Sequence, residues 1–175
     1  MKHTGRLEDS LSSLERLQSR PDCRAQGGCV TRTSLAKVKP LAALNRSEEA
    51  VAAYEGARDS GAKVSNSTLI AAGGAYISLR EPLKAAEVYQ QVVDRHQAGK
   101  AAVSRDHLYE AEKGLFWAYL ESEQSGLARE QARNNYVKRT LTPPESGSGL
   151  EAPDWMKTDA YATIGLSETF TGNPE

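Results

Sequence analysis

The chain has 175 residues, 39% hydrophobic and 26% charged, with a formal net charge of −1. That mixture is of a chain that folds rather than stays disordered, and its even charge gives no basic footprint for nucleic acid. No apolar run approaches the roughly 18 residues a membrane helix needs, and the start, MKHTGRLEDS, lacks the apolar core of a signal peptide.

The first predicted element covers about residues 6–20, where Leu7, Leu11, Leu14 and Leu17 fall on one helical stripe. It reads as the trailing helix of a repeat whose first half is missing. Next comes "PDCRAQGGCVTR", with Cys23 and Cys29 either side of a Gly-Gly pair. A small disulfide-closed loop is feasible there, and two free thiols are the alternative. A metal site is the third reading, although a zinc site needs about four ligands and no histidine pair lies nearby.

Internal repetition then organises the chain. Leu41, Leu44, Ala50, Tyr54 and Ala57 recur 35 residues later as Tyr76, Leu79, Ala85, Tyr89 and Val92. Ala72, Tyr76, Ala85 and Tyr89 recur 43 residues later as Leu115, Tyr119, Ala128 and Ala132. Tetratricopeptide repeats have a period of about 34 residues and this Leu-Gly-x-x-Tyr…Ala layout. Repeats are therefore expected over 31–64, 66–99 and 107–140. In the second, Gly73 is a close-packing position, and Glu81-Pro82 marks the break before a second helix that opens on proline. The longer second interval is assigned to "RHQAGKAAVSRDH", read as an extended connection flanked by His96 and His107 at the surface.

The stretch 141–157, rich in Pro, Gly and Ser, reads as a long loop that is either mobile or pinned back onto the array by Trp155. A truncated repeat follows over 158–175, with Ile164-Gly165 at the Leu-Gly positions. Both ends look severed, so the chain is expected to be a fragment of a longer array. The expected fold is all-α, a tetratricopeptide-like helix–turn–helix solenoid.

No catalytic constellation is legible. His3, His96 and His107 stand near no nucleophile–base arrangement, and neither Gly pair follows a strand or precedes Gly-Lys-Ser/Thr. Neither an enzyme nor a cofactor nor a metal is expected, and most helical carboxylates read as wet face. Binding is the remaining class. With Tyr76 as the eleventh position of its repeat, positions two, five, nine and twelve face a concave groove. These are Arg32, Leu35, Lys39 and Ala42 in the first repeat, and Ser67, Ile70, Gly74 and Ile77 in the second. The third supplies Glu110, Lys113, Trp117 and Leu120, with Glu121 beside them, and the fourth begins with Asp159. Gly74 either leaves room in this groove or is a helical glycine that the neighbouring repeats simply tolerate. The Trp117 ring among carboxylates is suited to a sugar face or a cation, or alternatively packs on its neighbours.

The segments "AYISLREPLKAAEVYQQVV" and "LYEAEKGLFWAYLESEQSGLAREQA", then "TPP" and "APDWMKTDAY", carry a resemblance. Their order is similar to the periplasmic tetratricopeptide-repeat region of the PgaA family, outer-membrane porins that export poly-β-1,6-N-acetylglucosamine. The resemblance spans about residues 70 to 165. It implies a periplasmic scaffold amino-terminal to a β-barrel domain of the same protein, serving the export of a biofilm polymer. It further implies two partners, the partly deacetylated polymer and the periplasmic polysaccharide deacetylase. Glu110, Glu121 and Asp159 near Trp117 would then meet the polymer's amines. The alternatives are the repeat region of a cellulose exporter and a general adaptor that holds a partner protein or peptide in its groove.

Overall fold

The 35-residue period is written into the backbone of two turns. The Arg46 amide donates to the Leu41 carbonyl at 2.9 Å, and the Glu81 amide donates to the Tyr76 carbonyl at 2.9 Å. Within each turn, Asn45 bonds back to Ala42 at 3.1 Å and Arg80 to Ile77 at 3.0 Å. This pair of bonds is the Schellman ending, which needs a left-handed residue just past the helix. Asn45 (φ 58°) and Arg80 (φ 61°) take that conformation. It costs a residue with a side chain about 1–2 kcal/mol, so the packing that follows the turn must hold it.

The chain, described in a computed structural model, is seen over residues 2–99 and 103–122, with isolated positions at 126, 130, 134, 157, 158, 161 and 162. Over the two continuous described stretches the helices are, in order, α1 (Lys2–Ser19), α2 (Pro21–Arg24), α3 (Gly27–Ala43), α4 (Ser47–Asp59), α5 (Asn66–Ser78), α6 (Pro82–Gln97) and α7 (Arg105–Glu121). No strand occurs among the described residues. The fold is all-α, and the helices stack as a solenoid. Helices α3, α5 and α7 pack successively on one another, whereas α4 and α6 do not touch. The former make an inner layer. The outer helices each bridge two inner ones, α4 joining α3 and α5, and α6 joining α5 and α7. Helix α1 packs on α3 as α4 packs on α5.

Local chemistry explains the boundaries. The hydroxyls of Ser65 and Ser104 cap α5 and α7, accepting at 3.2 Å from the amides of Thr68 and His107. Pro82 opens α6, where its missing N–H is no loss. Gly61 (φ 76°) and Gly99 (φ 61°) end the outer helices in the left-handed region, which favours glycine. Each outer helix buries one face: Ala85, Ala86, Val88, Tyr89, Val92 and Val93 on α6 are all within the core.

The centre of that core is Tyr89. Its ring passes inward from α6 between α5 and α7, against the backbones of Gly73 and Gly114. A Cβ on Gly73 would lie 2.6 Å from the ring, and one on Gly114 2.4 Å. The preceding repeat solves the same problem differently. Tyr54 meets Tyr76 edge-on with ring centroids 6.4 Å apart, and the Tyr76 hydroxyl donates to Glu55 at 2.7 Å. Arg95 closes the second repeat, donating to the Val64 carbonyl at 2.8 Å and to Asn66 Oδ1 at 2.9 Å.

Several sequence-based boundaries shift. Helix α3 begins at Gly27 rather than 31, so the Gly-Gly pair expected in a loop forms its first turn. Helix α7 begins at Arg105 rather than 107. The extended connection expected over residues 95–107 shortens, because Arg95 holds the end of α6 down to Gln97 and the Ser104 cap starts α7 early. His96 and His107 are accordingly helical. Glu112 departs from the wet-face reading of helical carboxylates, being only 3% exposed. Cys23 and Cys29 are joined by a disulfide that ties α2 to the start of α3, with Cys23 buried. The second half of the 107–140 repeat, the 141–157 loop with Trp155 and most of the 158–175 segment lie outside the described residues.

Two outcomes test this packing. Gly73→Ala and Gly114→Ala are each expected to lower unfolding free energy by about 1–3 kcal/mol through overpacking against Tyr89. Gly74→Ala, whose Cβ has room, is expected to be neutral or to gain up to about 1 kcal/mol of helix propensity. Urea titration followed by circular dichroism reads all three. Reducing the Cys23–Cys29 bond is expected to remove about 2 kcal/mol, the chain-entropy value for so short a loop, and thermal melts with and without a dithiol measure it.

Candidate functional site

The inner layer determines which side chains can share a surface. On α5, Ser67, Ile70, Gly74 and Ile77 are each half-buried, the condition of residues at the exposed edge of a packed helix. On α7, Lys113, Trp117 and Leu120 are half-buried, while Glu110 and Glu121 are exposed. These positions recur every three or four residues and so form one face of each helix. Since α5 and α7 are in direct contact, Gly74, Glu110, Lys113 and Trp117 stand on adjoining strips of that face. Helix α3 touches α5 but not α7. Arg32 and Lys39, both exposed, therefore belong to the far side of the face.

Trp117 does two things at once. Its ring packs against the core and meets Phe116 edge-on, with centroids 5.6 Å apart and planes at 67°. The remainder is open on the inner face, between carboxylates one turn after it and two turns before it. Glu110 and Glu121 are eleven residues apart, about 16 Å along the axis. Lys113 lies over the Tyr109 ring at 5.8 Å, so its charge is directed along α7. Arg32 curls back to its own helix, donating from Nε to the Gly28 carbonyl at 3.2 Å. Asp159, expected to extend the acidic set, lies outside the described residues.

Tyr89 is the member that sequence reading placed in the core alone. Its ring is wedged between the glycines, yet its hydroxyl continues beyond them, 3.8 Å from where a Cβ on Gly74 would sit. Among the described residues that hydroxyl has no hydrogen-bond partner. Burial pushes the phenol up to about 12, and the nearby Glu110 charge adds to the effect. The one signal available in the sequence was Gly114, a glycine inside a helix that had no assigned purpose. Among the described residues no group of three or more His, Cys, Asp or Glu could hold a metal ion, and no helix is long and apolar enough to cross a membrane. No protein-family model matches the chain, and neither a curated protein nor a solved structure matches it.

Tyr76 is raised further still, first by burial and then by its hydrogen bond to Glu55. Both phenols keep their protons in the folded chain at a pH where unfolded tyrosine, with an ordinary value of about 10, loses them. Stability from this source is therefore complete below pH 10 and declines as pH rises towards about 12. The urea midpoint is expected to fall across that window, and Tyr89→Phe is expected to lessen the fall.

Proposed function

We propose that the chain is a non-catalytic binding scaffold whose inner helical face takes an extended, amine-bearing polysaccharide. The observation that carries this reading is Trp117, half-buried and rigidly backed by Phe116, with the exposed carboxylates Glu110 and Glu121 on the same strip of α7. A fixed aromatic plane suits the apolar face of a sugar ring, and carboxylates around it favour a cation over an anion. The resemblance of the repeats to those of poly-N-acetylglucosamine exporters supports the same ligand class, the partly deacetylated β-1,6-linked polymer. On this reading the scaffold works in the periplasm, as part of an outer-membrane exporter with a β-barrel domain in the same protein. The deacetylase that trims the polymer would dock on it.

A protein or peptide ligand is the second reading, and Arg32 and Lys39 on α3 favour it, because exposed cations at one side of the face would suit an acidic segment. Titration separates the two. The chain is expected to bind partly deacetylated β-1,6-glucosamine oligomers in preference to fully acetylated ones, reported by tryptophan fluorescence. Trp117→Ala should weaken binding at least tenfold while leaving the helical signal intact. Equal affinity for both oligomers, or none for either by a folded chain, would reject the polysaccharide reading.

A further inference from the structure

The slot between α5 and α7 does more than pack a ring. Tyr89 belongs to an outer helix, and a tyrosine there would ordinarily end inside the core. Here the two inner helices present glycine backbones to both sides of the ring, at Gly73 and Gly114, with the closest approach at Cζ. The ring tip thus lies level with the inner-helix backbones, and the hydroxyl, one bond further, stands past them on the inner side. Gly74 confirms the direction: it occupies a position on the inner face, and of all the ring atoms only the hydroxyl comes within 4 Å of its missing Cβ. The residue is only 6% exposed, so its hydroxyl is held in one place, and no hydrogen bond to it is made among the described residues. A fixed phenol hydroxyl can donate one hydrogen bond to a ligand that reaches it and accept others.

We infer that Tyr89 delivers its hydroxyl through this glycine-walled slot to the inner face, where together with Glu110 it forms a hydrogen-bonding subsite for the ammonium group of an amino sugar. The inference rests on the polysaccharide reading above and names a contact within it. Glu110 is exposed on the adjoining strip of α7, and its charge reaches the phenol. An ammonium between them would donate to the carboxylate and to the phenol oxygen, and the phenol proton would remain available to a sugar hydroxyl. An acetylated nitrogen offers a single N–H and no charge, so this subsite discriminates for the free amine. Gly74 is then a specificity position. Any side chain larger than methyl there would cover the hydroxyl.

The test uses the whole chain and two probes, a β-1,6-linked glucosamine tetramer and its fully N-acetylated counterpart, with binding read by amide chemical shifts. Tyr89→Phe keeps the wedge and removes only the hydroxyl, while Gly74→Leu covers it and Gly74→Ala is the control with room to spare. Phe at position 89 and Leu at position 74 are each expected to weaken the amine-bearing tetramer about fivefold to tenfold. The preference over the acetylated tetramer should shrink, and Gly74→Ala should bind as the parent does. Shifts on binding should centre on the amides of Gly74 and Glu110. If Tyr89→Phe and Gly74→Leu bind like the parent while Trp117→Ala does not, this subsite is wrong and the polysaccharide reading stands. If the parent chain binds neither tetramer, both are wrong.

Discussion

One aromatic ring between two glycine backbones sets the geometry where α5, α6 and α7 of this solenoid meet. Tyr89 belongs to α6, yet it fills space that Gly73 on α5 and Gly114 on α7 leave empty. Solenoid repeats are stable only through their neighbours, and this contact joins one repeat to the next through a single side chain. It also has little tolerance: ring carbons within 2.4–2.9 Å of a hypothetical Cβ on either glycine leave no place for even a methyl group. The spacing of α5 from α7 follows from the thickness of a tyrosine ring.

The preceding interface shows what happens without the slot. At the position equivalent to Gly73 the first repeat has Val38, and Ala71 stands where α7 has Gly114. Tyr54, the counterpart of Tyr89, is 1% exposed and sits edge-on to Tyr76, with the Arg58 guanidinium 5.9 Å from its ring. Its ring therefore remains within the layers. The two interfaces share turns and period, but only the second brings an outer-layer phenol through to the inner face. Charge varies along the same direction, from Arg32 and Lys39 on α3 to Glu110 and Glu121 on α7. A ligand spanning the face would meet cations first and carboxylates last. A polymer with amines would be held at the α7 side.

Much of the fold was legible because spacing survives without any knowledge of contacts. The 35-residue interval between Leu41 and Tyr76 became two turns with matching hydrogen bonds, and Pro82 sits at the first position of α6. Helix starts were less legible. Gly27-Gly28 looks like a loop by propensity, but the Cys23–Cys29 bond and the packing of α3 hold it in a helix. The inner-face positions on α7 follow from helical phase alone. Tyr89's second role did not, because periodicity assigns a residue to one face, and this side chain is long enough to cross from its own layer to another. Glu112 was missed for a related reason: a carboxylate in a polar-looking helix is read as wet until the packing is known.

The most direct test of this account is amide hydrogen exchange on the parent chain and on Gly114→Ala. If Tyr89 is the tie between repeats, a methyl group on α7 should loosen the helices that meet at the ring. Protection is then expected to fall in α5 and α6 as well as α7, with α1 and α3 less affected. Loss of protection confined to α7, with α5 and α6 unchanged, would contradict the account.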